Sequence, residues 1–106
     1  MHLNEYQEQA RASAIYPDSA ALFYPALKLA GEAGEVAEKI GKHLRGDYDY
    51  ATMKRHVHKE LGDVLWYVAN IAEDLELSLE LIALENLAKL ASRKARGVLQ
   101  GDGDDR

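Results

Sequence analysis

Cysteine is absent from the 106 residues, which excludes disulfides, thiolate metal ligands and thiol nucleophiles together. Proline occurs only at positions 17 and 25, phenylalanine once and tryptophan once. Strand-forming runs are nearly missing, so a sheet-based fold has little to be built from. Nor does any stretch approach the roughly 20 consecutive apolar residues of a membrane-spanning helix. Basic residues are in deficit, 13 against 18 acidic ones for a formal charge of −5, and they are scattered. A nucleic acid polymer, which needs a positive footprint, is therefore not an expected partner. The segment Met1 to Glu8 carries acid where a secretory signal would carry base followed by an apolar run, so no export signal is expected and a cytoplasmic location is the natural reading.

What is present is a chain in which 47% of residues are apolar and 29% charged, the balance of an ordinary folded domain. Its length fits one domain spanning 1–106. A domain this small leaves much surface uncovered, which favours self-association. Ala, Leu, Glu and Lys dominate and favour helix by intrinsic propensity. The punctuation predicts four helices, over about Asn4 to Ala14, Pro25 to Leu44, Thr52 to Leu75 and Leu79 to Arg96. Tyr16-Pro17 breaks the chain after the first, and Gly46 and Gly97 act as stops. Thr52 and Ser78 are candidate caps, and 97–106 reads as an irregular tail. The expected architecture is an all-α four-helix bundle completed by homo-oligomerisation.

At 100° per residue, Leu27, Ala30, Ala33, Gly34, Ala37, Ile40 and Leu44 share one arc of the second helix, predicted to be core. Met53, Val57, Leu61, Val64, Leu65, Val68, Ile71, Ala72 and Leu75 form a matching stripe on the third. Glu32 and Glu35 lie one turn apart at the edge of the first stripe, and Glu60 and Asp63 repeat the spacing beside the second. Antiparallel packing would bring the four carboxylates into one groove. Their mutual repulsion is ordinarily relieved by a hard divalent cation held through oxygen, magnesium or manganese. Magnesium shares its shell readily with phosphate oxygens, which points to a phosphorylated substrate. A plainer reading stands beside this one: Lys28/Glu32 and Glu35/Lys39 are four apart and suit surface ion pairs.

The segment from Glu32 to Glu38, EAGEVAE, followed after a linker by Lys59 to Asn70, KELGDVLWYVAN, resembles the MazG-like all-α nucleoside triphosphate pyrophosphohydrolases. The resemblance covers about positions 20 to 106, with Asn86 to Gly97 and Gly101 to Arg106 included. It implies that Glu32, Glu35, Glu60 and Asp63 coordinate Mg2+ (or Mn2+) while water attacks a nucleoside triphosphate, releasing nucleoside monophosphate and pyrophosphate, in the sense of nucleotide-pool house-cleaning. Phosphoribosyl-ATP pyrophosphohydrolase is the related alternative, and a non-catalytic helical dimerisation module the alternative of another class. The chain departs from the family pattern at Glu76, where relatives often have a glycine that turns the chain. Glu38 reads as an exposed charge.

Around the acidic set, Asn70 shares the Asp63 face and offers a carboxamide to a base, sugar or metal-bound water. Tyr67 shares the Glu60 face and could stack on a base. Trp66 lies off the stripe and reads as a subunit-interface residue. Lys59 beside the acids, and Lys89 and Arg93 on the last helix, are candidate phosphate contacts; basic residues near a helix C-terminus explain the last pair nearly as well. His56 and His58, two apart, make a poor zinc pair. The expected partners are a nucleoside triphosphate and one or three further copies of the chain, as homodimer or homotetramer.

Overall fold

The computed structural model describes all 106 residues and contains four α-helices and no strand. Helix α1 covers Leu3–Ala12, α2 Phe23–Leu44, α3 Tyr50–Asp74 and α4 Leu79–Ala95. A single 3-10 turn, Asp18–Ala20, interrupts the connection around Pro17. Helix α2 begins two residues before Pro25, which sits in the first turn, where its missing N–H leaves no bond unmade. The α3 cap is Asp49 rather than Thr52: the Thr52 amide donates to the Asp49 carboxylate at 2.7 Å, and the helix gains two residues. Ser78 caps α4 as expected, its hydroxyl accepting from the Leu81 amide at 3.1 Å. Gly46 and Gly97 end α2 and α4 with φ of +89° and +74°, the left-handed conformation that glycine adopts without penalty.

Helices α2 and α3 pair along their length and run antiparallel. His43 meets Tyr50 at the loop end, Glu32 meets Glu60 and Asp63 midway, and Tyr24 meets Tyr67 at the far end. Helix α1 lies against the C-terminal half of α3 and reaches the start of α4. Ala10, Ala69 and Leu79 form the packed cluster, with Leu3, Tyr6, Trp66 and Val68 around it. Polar groups complete this joint. The buried Gln7 carboxamide donates to Glu73 and to the Leu77 carbonyl and accepts from the Leu79 amide, each at 2.8 Å. Asn4 accepts from the Glu80 amide at 3.2 Å. In the first turn of α4, whose amides have no partner within the helix, α1 thus satisfies Leu79 and Glu80 while Ser78 satisfies Leu81.

Trp66, expected at a subunit interface, packs its ring against the α1–α3–α4 cluster within the chain, and its indole N–H donates to the Ser13 hydroxyl at 2.8 Å. One sequence expectation needs correction: the α2 arc from Leu27 to Leu44 is not core within the chain. Leu27 is 75% exposed and Leu44 80%, and the small residues between them are exposed too. Helix α2 instead turns Leu29, Glu32, Val36 and His43 toward α3, and these are half-buried. The period is helical, but the more apolar flank of α2 faces outward in the single chain, while the flank that meets α3 mixes Leu29 and Val36 with Glu32 and His43. On α4, Leu81, Leu84 and Leu87 are also more than half exposed. Eight of 106 residues are buried, and the radius of gyration of 16.6 Å exceeds the roughly 13 Å of a compact chain this long.

Candidate metal centre

Halfway along the α2–α3 pair, Glu32, Glu60 and Asp63 each offer a carboxylate oxygen, and the three oxygens lie within 4.8 Å of one another. Glu32 and Glu60 are half-buried and Asp63 is exposed, so the cluster opens to solvent on one side. Crowding of like charge has a direct consequence. The Glu32 carboxyl is raised above its ordinary range, first by sharing a hydrogen bond with Glu60, then by burial and by the charges of Asp63 and Glu60, against a smaller pull from Lys28. A proton held between two carboxylates is one answer to such repulsion; a divalent cation is the other. Three converging hard oxygens with no sulfur or imidazole among them suit magnesium, manganese or calcium rather than zinc or copper.

The fourth expected ligand stands apart. Glu35 is on the same helix, but its carboxylate faces Lys39 at 3.6 Å, in the i,i+4 geometry of a surface pair. Glu38 does the same with Lys42 at 3.1 Å, and that bond holds its carboxyl below the usual range. Of the four acids in the expected set, the fold therefore brings three together.

Tyr67, one turn past Asp63, borders the cluster. Its phenol is pushed up to about 12 by burial, by the neighbouring Tyr24 hydroxyl, and by the charges of Glu32 and Asp63. Tyr6 of α1 is raised by burial and by Asp63. Asn70 is fully buried: its amide donates to the Trp66 carbonyl at 3.1 Å, while Oδ1 has no hydrogen-bond partner in the chain. It is placed inside the bundle instead of on the open side of the acids. Lys59 is exposed and lines a groove of about 650 Å3 with Tyr50, Lys54, Arg55 and His58. Lys89 and the buried Arg93 are engaged by the tail, both meeting the Asp104 carboxylate, at 2.9 and 3.2 Å. The tail is irregular, as expected, but tied down. Arg106 donates to the carbonyls of Val98, Leu99 and Gly103.

Sequence reasoning passed over a second polar centre, at the C-terminal end of α3. The Asp74 carboxylate accepts from Arg11, from the Tyr16 hydroxyl at 3.0 Å and from the Leu22 amide at 2.8 Å. It fastens α1 and the whole 13–22 connection to α3. Tyr16 and Tyr24 stand beside it, 5.3 Å apart, with Tyr67 6.2 Å beyond Tyr24. No spacing rule could have found this centre, since its members are joined across 52 to 63 positions of sequence.

Residues 25–98 match the MazG nucleotide pyrophosphohydrolase domain. The Gene 37 protein of Mycobacterium phage L5 is 44% identical over 114 aligned positions, covering 100% of both chains. No solved structure matches. The matched span contains all but the first two residues of α2 and the whole of α3 and α4, with the carboxylates meeting between α2 and α3, and the chain belongs to the MazG nucleotide pyrophosphohydrolase family.

Proposed function

We propose that this protein hydrolyses a nucleoside triphosphate to the monophosphate and pyrophosphate with magnesium, or manganese in its place, and so serves to remove unwanted nucleotides from the pool. The observation that carries the reading is the convergence of Glu32, Glu60 and Asp63 within 4.8 Å across two helices of a MazG domain. These three carboxylates would hold the cation. Glu35 would join them by leaving Lys39, a half-buried i,i+4 partner at 3.6 Å whose loss the cation's charge would offset. When bound, the cation supplies charge neutralisation at phosphate oxygens and lowers the pKa of a coordinated water.

The remaining roles belong to the chain itself. Tyr67 closes the cluster on one side and limits the access of bulk water to it. Lys59, whose cation has no acidic partner within salt-bridge distance, is free to meet phosphate. Lys89 and Arg93 can do so only by exchanging Asp104 for a phosphate oxygen, an exchange of one charge-assisted partner for another. Asn70 would act from inside, orienting Tyr67 and Trp66 on the same helix. The exposed faces of α2 and α4 support a homodimer or homotetramer as the working form.

The test is pyrophosphate release over canonical and modified nucleoside triphosphates and phosphoribosyl-ATP, with and without magnesium. Glu32→Gln and Asp63→Asn should abolish metal-dependent turnover and weaken manganese binding while helix content is unchanged. Glu35→Gln should lose turnover but keep residual metal binding through the other three. Full activity in all three variants would sink the site. Absence of pyrophosphate release from every substrate would leave a non-catalytic helical module.

A further inference from the structure

The deficit of basic residues belongs to the chain as a whole, and the fold reverses it at one place. Residues 39–59 hold six of the 13 lysines and arginines and three of the four histidines, against two of the 18 acids, which leaves seven basic residues against 16 acids elsewhere. Antiparallel pairing of α2 and α3 gathers this segment at the loop end of the two helices. The molecule is therefore positive at that end and strongly negative over the rest.

The cations of the positive end are of two kinds. Lys39, Lys42 and Arg45 are met by Glu35, Glu38 and Asp47. Lys54, Arg55, His58 and Lys59 are exposed, line the groove of about 650 Å3 with Tyr50 and Ala51, and take no part in the ion pairs of the chain. Asp49, the acid just before them, gives its carboxylate to the Thr52 amide. Helix stability does not account for the four. Arg55 and Lys59 are like charges four apart, which repel, and cations close to a helix N-terminus oppose its partial positive charge. A solvated helix face ordinarily mixes its signs, yet no acid occurs from Tyr50 through Lys59. Aromatic rings stand among these charges. Tyr50 is 62% exposed, with the Lys54 ammonium 5.8 Å from its ring centroid, and Tyr48 and His56 stack at 5.0 Å and 14°.

We propose that this groove docks a single-stranded nucleic acid, with phosphates on Lys54, Arg55 and Lys59 and a base on Tyr50. Cations without counter-charges are what a phosphate backbone requires, and an exposed ring among them favours a strand of bases over an acidic peptide. The footprint is short. Lys54 to Lys59 spans about 7–8 Å of helix axis, room for about two or three phosphates, and the negative remainder of the molecule repels the denser charge of a duplex. Binding is accordingly weak and steeply dependent on salt. It is independent of the metal centre, because a strand with a 5′-hydroxyl end offers no triphosphate to the carboxylates.

The experiment is fluorescence anisotropy of a labelled 5′-hydroxyl oligothymidine on the full chain, in chelator so that no metal bridges the two. Wild-type protein should bind at low salt, with log affinity falling against log salt at a slope of about −2, as three phosphate contacts require. Lys54→Gln combined with Arg55→Gln should weaken binding at least about tenfold and flatten the slope to about −1. Tyr50→Leu should weaken it roughly tenfold, the scale of one lost stacking partner, while Tyr50→Phe binds as wild type. Lys54→Arg combined with Arg55→Lys keeps both charges and should also bind as wild type, which keeps the test decisive if the glutamine variant fails to fold. The proposal is overturned if wild-type protein does not bind at low salt, or if the glutamine or leucine variant binds undiminished. It is equally overturned if polyglutamate displaces the oligonucleotide at matched charge, which would make the groove a surface for acidic protein, or if the glutamine variant sediments as a smaller particle, which would give the groove to a second copy.

Discussion

Glu76 has φ of +58°, a left-handed conformation at the corner between α3 and α4. That conformation costs an L-residue about 1–2 kcal/mol, part of which a glycine returns through its greater freedom in the unfolded chain. Glu76→Gly should therefore raise stability by roughly 1 kcal/mol, read as an upward shift in thermal midpoint; an unchanged or lower midpoint would show that the glutamate is held by something besides its backbone. Asp74 makes the opposite kind of contribution. Burial alone would raise its carboxyl, but the donors from Arg11, the Leu22 amide and Tyr16 outweigh burial and hold it below its ordinary value. A depressed carboxyl stabilises the fold fully above the unfolded value of about pH 4, and that stability is lost as pH falls further. Asp74→Asn should cost about 2–3 kcal/mol at neutral pH by leaving Arg11 without its counter-charge, and its deficit should shrink below about pH 4. Denaturation of the two proteins at a series of pH values decides the matter, and a constant deficit down to the acid limit would refute the assignment.

At the scale of elements, the helices were legible from propensity and punctuation, and the differences lie at their ends and faces. Threonine at 52 is a fitting cap by composition, yet the chain uses Asp49, whose carboxylate accepts from the Thr52 amide and starts the helix two residues earlier. Asp49→Ala should loosen the start of α3, read as accelerated amide exchange confined to its first turn. The joint between α1 and α4 was not legible at all, since it depends on a carboxamide 72 positions from the amide it serves. Gln7→Ala removes three hydrogen bonds and strands the buried Leu79 amide, a loss of about 2–3 kcal/mol. Urea unfolding measures it, and an effect below about 1 kcal/mol would mean that solvent reaches the vacated amide.

For the whole molecule, the single chain leaves the outer arc of α2 and most of α4 without an apolar partner. On the proposal that a second copy covers both faces, the thermal midpoint should rise with protein concentration, and Leu84→Glu should yield a smaller particle in sedimentation while the α2–α3 pair keeps its helices. A monomer at micromolar concentration in wild-type protein would remove the homo-oligomer from the account. By itself the sequence determined what is local: helices from propensity, their breaks from proline and glycine, and the acid pairs from a three-residue spacing that any helix converts into one side. The tertiary structure decided what is relative, namely which flank of α2 meets α3, that Glu32 joins Glu60 and Asp63 while Glu35 turns to Lys39, and that Asp74 ties the tyrosine row in place. The physical reason is that periodicity fixes angles around one helix axis, whereas the rotation of two axes about each other is set by contacts between residues far apart in the chain.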